Sequence, residues 1–297
     1  MRPSPKSFIL DLLSTLRRGT MPVSALVEAG EMFGIRAGNL RVALARLLAA
    51  GQVGRDERGR YRLDAGARPV ASRVASWRDL AKRTRRWDGA WVAAHLATHA
   101  PGIGRAERRG RTRALHLLGF GFLAKNLAVR PDNLRASVAD LRFELHALGL
   151  PHSDLVFQMR ELEPARDTKA RSLWDVEGLS ARCRACVDEL RESRARIRVA
   201  APRDAMVESF LIGGRAVGAL NLDPLLPDEI CPGAERRELL RTMREYDRLG
   251  RAAWAGFLRR HDVPHQRGPI DSRLAATTRP DAGLPRSAPG GREATLP

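Results

Sequence analysis

The sequence predicts an α+β protein in three parts: an N-terminal winged helix-turn-helix over residues 1–65, a central ferredoxin-like βαββαβ domain over 87–166, and a C-terminal α-helical domain over 167–265. Three observations predict it. Three short amphipathic helices precede a two-stranded hairpin. The central segment then reads as strand, helix, two strands, helix, strand. Beyond Asp167 every apolar run has helical period. A basic linker helix is expected over 66–86. A disordered tail is expected over 266–297, where Pro, Gly, Ser and Thr dominate. With 297 residues the chain is long enough for two or three cores.

In the first part, Phe8, Ile9, Leu12, Leu13 and Leu16 recur at helical spacing, with Gly19 at the expected C-terminus. Ser24 is a candidate cap for a second helix carrying Leu26, Val27 and Met32, which Gly34 ends before Ile35 turns inward. A third helix starts near Asn39, lays Leu40, Leu44, Leu47 and Leu48 on one stripe and stops at Gly51. "QVGRD" and "RYRLD" follow as a hairpin turning at Glu57 to Gly59, with Tyr61 and Leu63 on one face and Arg60 and Arg62 on the other.

In the central part, "WVAAHLA" reads as a strand and "RAERRGRTRALHLLG" as a helix. "GFGFLAKNLAVRP" reads as two strands turning at Lys125–Asn126, "NLRASVADLRFELHALG" as a second helix and "DLVFQMREL" as a last strand. Three long helical segments follow, "LWDVEGLSARCRACVDELRESRAR", "PRDAMVESFLIGGRAVGAL" and "ERRELLRTMREYDRLGRAAWAGFLRRH".

The formal charge is +18 and the pI ≈ 11.3, which points to an acidic partner. The charge is concentrated: residues 1 to 87 hold 18 Lys or Arg against 7 Asp or Glu. No apolar run approaches the roughly 18 residues needed to span a bilayer, so no membrane partner is expected. The N-terminal apolar stretch is broken by Asp11, Ser14 and Thr15 and lacks the features of a signal peptide. Three cysteines argue for a reducing compartment, and the cytoplasm is the expected location.

The third helix carries the sharpest functional signal. Opposite its leucines stand Gly38, Val42, Ala45 and Ala49, flanked by Asn39, Arg41 and Arg46, with Arg36 just upstream. Small residues with polar flanks suit close approach to the major groove, where Arg and Asn make paired hydrogen bonds to guanine and adenine edges. Arg55, Arg58, Arg60 and Arg62 of the hairpin would reach phosphates or the adjacent minor groove. The competing reading is a small helical domain with a solvated arginine face.

Signals for other chemistry are weak. Cys183 and Cys186 have the spacing of half a zinc site, but Cys231 is distant in sequence and the motif lies in a helical pattern, which favours core packing. His95 and His99 fall on a strand and its end, where i, i+4 spacing does not make a metal pair. "GIGRAERRG" lacks the Lys-Ser or Lys-Thr of a phosphate loop, and no nucleophile, base and orienter assemble. No enzyme activity, cofactor or metal is expected.

With this layout in hand, the chain resembles the phenylacetate-degradation repressor (PaaX-type) family of bacterial transcriptional regulators, from about residue 7 to 258. "VSALVEAGEMFGI" and "LRVALARLLAAGQV" resemble the family's second and third helices, with Arg41, Ala43, Leu44 and Arg46 on its Arg-x-Ala-Leu-x-Arg pattern. Trp87-Asp88-Gly89 with Trp91 resembles its W-D-G-x-W opening, and "GFGFLAKNLAV" its G-F-G hairpin. "LWD" at 173–175 and "LDPLLP" from Leu222 to Pro227 resemble markers of its helical domain. The resemblance implies a homodimeric regulator, usually a repressor, that binds a double-stranded DNA operator and is released by a small-molecule effector. In the best-known branch that effector is an aryl-acetyl coenzyme A thioester. The chain departs from the family pattern at Arg36 and Gly38, where the recognition helix usually begins with Ser. It departs again at Gly214-Arg215-Ala216-Val217, where a His-Glu-Tyr-Arg run is usual. The middle domain also resembles the small ferredoxin-like nucleases of CRISPR adaptation, but Ala97-Thr98-His99 stands where those have an Asp. A metal-dependent nuclease and a sequence-nonspecific nucleic-acid-binding module are the alternative functions.

Overall fold

The computed structural model describes residues 3–16, 20–64, 76–97 and 104–264, all within one compact unit that spans Met1–His265. Gly19, His99, residues 66–75 of the 66–86 linker and the 266–297 tail lie outside the described residues. The fold is mixed helix and sheet, with two small antiparallel sheets among the described residues.

The N-terminal layer has three helices: α1 (Pro5–Thr15), α2 (Val23–Met32) and α3 (Ala37–Ala49). Ser4 caps α1 by accepting from the Ser7 amide, and Pro5 fills the first helical position, where no amide partner is needed. Ser24 lies inside the first turn of α2 and does not cap it; the cap position is Pro22. α3 begins two residues earlier than its apolar stripe suggests, with Arg36 at an N-cap that has no side-chain hydrogen bond. Its end is firm: the Gln52 amide donates to Leu47 O and the Gly51 amide to Leu48 O, with Gly51 at φ +62. That pair of bonds needs a left-handed residue, which glycine adopts without strain.

The hairpin strands are β2 (Val53–Arg55) and β3 (Arg60–Leu63), and a two-residue strand missed in the sequence, β1 (Met21–Pro22), joins the free side of β3 to give the order β1–β3–β2. The turn is held by Asp56, whose carboxylate accepts from the Arg58 and Arg60 amides. The linker differs from the expected basic α-helix. Within the described part, Ser76–Lys82 is a 3-10 helix and residues 85–88 run without helix, Thr84 bridging to Leu134.

The second sheet contains β4 (Trp91–His95), β5 (Gly121–Ala124), β6 (Leu127–Pro131) and β7 (Leu155–Met159) in the order β5–β6–β4–β7, every neighbour antiparallel. Helix α4 (Arg105–Leu117) links β4 to β5, and α5 (Val138–Ala147) links β6 to β7. α5 starts later than expected. A capping box between Ser137 and Asp140 fixes its first turn, while Asn133 and Leu134 are buried in the extended segment before it.

A short helix α6 (Pro164–Arg171), not foreseen in the sequence, leads to the three long helices α7 (Val176–Val199), α8 (Pro202–Asn221) and α9 (Ala234–Arg260). They share one core with the sheet: Leu115, Phe120 and Leu145 cluster with Leu190, Ile212 and Tyr246. The joint depends on two glycines. A Cβ on Gly119 would come within 2.8 Å of Pro224 Cα, and one on Gly121 within 2.9 Å of Leu173 Cβ, so only glycine lets these segments approach the sheet. Buried Arg130 donates to the carbonyls of Leu118 and Pro224, and Asn133 Nδ2 donates to Leu225 O at 2.7 Å. Trp91 stacks on Trp174 and meets Trp87 edge to face. The W-D-G-x-W, G-F-G, LWD and LDPLLP segments thus converge on one joint.

The N-terminal layer docks on the last two helices. Phe210 of α8 packs against Phe8 and Phe33, and Trp254, Phe257 and Leu258 of α9 belong to the same core as α1 and α3. Polar contacts fix the angle. Glu28 takes Arg260 at 2.9 Å and His261 at 2.7 Å, and Arg203 donates to Glu31 O.

Candidate nucleic-acid interface

Helix α3 buries Leu40, Leu44 and Leu47 and presents the opposite side to solvent. A ridge of Gly38, Val42, Ala45 and Ala49 runs along the exposed side, with Arg41 on one flank and Asn39 and Arg46 on the other. Val42, on this ridge, is 52 % exposed. Leu48, expected on the buried stripe, is 40 % exposed and sits beside Arg41 on the outer flank. Leu40, Leu44 and Leu47 already close the inner face.

The side chains of Arg36, Arg41, Arg46 and Arg58 make no hydrogen bond or ion pair with another described residue. In the C-terminal helices most arginines are held differently: Arg184, Arg191, Arg194, Arg196 and Arg215 each face a glutamate within hydrogen-bond distance. Guanidinium groups paired with carboxylates are neutralised locally, whereas those without a described partner keep their charge and donors open to an outside acceptor.

The hairpin arginines divide. Arg58 at the tip and Arg62 are exposed, and exposed Arg55 lies 5.9 Å from the Tyr61 ring centroid. Arg60 is half-buried. Its guanidinium donates to Thr20 Oγ1 at 2.8 Å and to Asp262 O at 2.8 Å, tying the start of β3 to the residues just after α9. The Nε and Nη2 donors of Arg60 are thus turned into the protein, which sets it apart from Arg58 and Arg62 as a phosphate contact. Strand alternation places Arg60 beside Arg62 on one face but gives no sign of acceptors 40 and 202 residues away. Arg58→Ala is expected to lower the slope of log affinity against log salt by about 0.9, one phosphate contact. Arg60→Ala should leave that slope nearly unchanged and lower the melting temperature instead. Salt titrations and thermal melts of the two variants check the division.

The cysteines are placed for packing. Cys183 and Cys231 are buried and Cys186 half-buried, and no cluster of metal-ligating side chains occurs among the described residues. Burial, helped by nearby Asp223 and Cys186, pushes the Cys183 thiol up to about 11, and burial also raises Cys186 and Cys231. Neutral thiols are poor nucleophiles and poor ligands. Iodoacetamide at pH 7.5 should label the three cysteines of the native protein many-fold more slowly than after unfolding, as read by mass spectrometry. His95 hydrogen-bonds Asn126 at the end of β4.

Residues 4–66 match the family described as PaaX-like protein. The match covers α1 to β3, including the exposed face of α3. The fold is similar to that of the solved structure "Uncharacterized protein Rv0674 from Mycobacterium tuberculosis", with a TM-score of 0.55 and 24 % identity, covering 84 % of this chain and 98 % of that one. No curated protein matches the chain. No helix among the described residues is long and apolar enough to cross a membrane.

Proposed function

We propose that the protein is a DNA-binding transcriptional regulator, a homodimeric repressor whose operator affinity is set by a small-molecule effector, and that it is not an enzyme. The observation that carries this reading is the exposed arginine face of α3, without partners among the described residues, in the segment that matches the PaaX-like family. The element order α1–β1–α2–α3–β2–β3, closed by a sheet of order β1–β3–β2, supports a winged helix-turn-helix over residues 1–65, with α3 as its recognition helix. The order β5–β6–β4–β7 with its two crossover helices supports a ferredoxin-like domain over 87–166, followed by a helical domain over 167–265. Arg36, Asn39, Arg41, Val42 and Arg46 would meet base edges and their flanking phosphates, and Arg55, Arg58 and Arg62 the backbone.

Incubation with duplex DNA in the presence of Mg²⁺ or Mn²⁺ tests the reading. The protein should retain sequence-selected duplexes intact. Metal-dependent degradation would favour a nuclease built on the four-stranded sheet, and retention of every duplex alike a nonspecific binder.

A further inference from the structure

Helix α4, "RAERRGRTRALHL", holds five arginines against one acid, Glu107, within 13 residues. The fold divides these arginines. The inner side of the helix is apolar, with Ala114 and Leu115 buried in the core shared by the sheet and the long helices. Arg111 turns inward with them and pairs with buried Asp154, its Nη2 donating to Oδ1 at 2.9 Å, which fastens α4 to the segment entering β7. Arg108, Arg109, Thr112, Arg113 and His116 are exposed. Arg109, Thr112, Arg113 and His116 stand at i, i+3, i+4 and i+7, so they form one outer stripe. The side chains of Arg109 and Arg113 make no hydrogen bond or ion pair with a described residue.

The neighbouring helix is different. The turn after α5 meets α4 where a Cβ on Gly110 would stand 3.6 Å from the Gly149 carbonyl oxygen, and α5 itself exposes both signs of charge, in Asp140 and Arg142. The stripe of α4 exposes one sign, and its open guanidinium donors suit an outside anion. Two observations select a phosphate backbone as that anion. None of the large apolar residues exposed in the described chain lies on α4, so the stripe lacks the anchors of a protein interface. Guanidinium forks match phosphate oxygens, and Arg109 and Arg113 are about 6 Å apart along the helix axis, close to two phosphate steps of a duplex strand at about 3.4 Å each. The stripe is also separate from α3: α4 belongs to the core of the sheet and long helices, and α3 to the core of the N-terminal layer.

We propose that the outer stripe of α4 is a second phosphate-binding face for duplex DNA, with Arg109 and Arg113 as its contacts. It lies outside residues 4–66 and meets the backbone alone, so it adds salt-dependent affinity without base readout and lengthens the stretch of duplex that the protein holds. It rests on the reading of the protein as a DNA binder, though not on α3 being the reader.

The test is a salt titration of the full chain on a random-sequence duplex several helical turns long. Arg109→Ala with Arg113→Ala should lower the slope of log affinity against log salt by about 1.8, two phosphate contacts, and leave the melting temperature unchanged. The same drop should appear when the pair is added to a chain already carrying Arg41→Ala and Arg46→Ala, because the two faces act independently. Arg182→Ala with Arg248→Ala removes the same charge from exposed positions on α7 and α9 and should leave the slope nearly unchanged. A slope that the α4 pair leaves unaltered, or lowers no more than the Arg182 and Arg248 pair does, overturns the proposal while the regulator reading stands. Selected and random duplexes held alike, with the α4 drop intact, would overturn the regulator reading and support this face. A chain that holds no duplex at low salt overturns both.

Discussion

Phe257→Ala is expected to destabilise the protein by about 3–5 kcal/mol, the cost of removing a buried aromatic ring from a packed core. Phe257 is 2 % exposed and lies in the core formed by α1, α2 and α3 with the ends of α8 and α9. Its ring meets Trp254 edge to face at 5.6 Å and His261 at 4.7 Å. Trp254 is fixed in turn by donating to Met206 O at 3.1 Å. The loss should fall unevenly. Amide exchange in α1 and α2 should accelerate strongly, while β4 and β6, which belong to other clusters, stay protected. Urea unfolding measures the total and hydrogen exchange its location. A loss below about 1 kcal/mol would mean that the N-terminal layer does not depend on its seat against α9.

Arg41→Ala and Arg46→Ala are each expected to weaken binding to a selected duplex by about 1–3 kcal/mol and to weaken binding to random duplex less. Neither side chain has a hydrogen-bond or ion-pair partner among the described residues, so neither substitution should lower the melting temperature appreciably. Phe257 supports the layer, whereas Arg41 and Arg46 are expected to contact DNA from its surface. Equal losses on selected and random DNA would assign both arginines to phosphate contacts. Competition titrations at fixed salt measure the difference, since the electrostatic part of any affinity changes with ionic strength.

What the sequence makes legible is local. The period of Leu40, Leu44 and Leu47, the glycine at 51 and the alternation of Tyr61 and Leu63 mark α3 and the hairpin, because a helix stripe and a strand face each declare themselves within a few residues. The strand order of the second sheet follows from element order once β4 to β7 are seen. β1 is invisible because two residues have no period, and α6, "PARDTKAR", because a short polar helix has no apolar stripe. The seat of the N-terminal layer is illegible for a different reason. Phe210, Trp254 and Phe257 read as core residues of their own helices, and nothing local says that their partners lie some 200 residues away. Arg60 shows the same limit at the candidate site, since an arginine on the outer face of a strand looks like a phosphate contact until Thr20 and Asp262 are seen to hold it.

The central claim is that α3 reads DNA, and selection of duplexes from a random pool by the full chain tests it most directly. The account predicts an enriched inverted repeat, its half-sites centred about one helical turn, roughly 34 Å, or a multiple of that apart. It further predicts that a protein carrying Arg41→Ala and Arg46→Ala enriches a different or weaker motif. A pool that returns no shared sequence, or one whose motif the double substitution leaves unchanged, would contradict it.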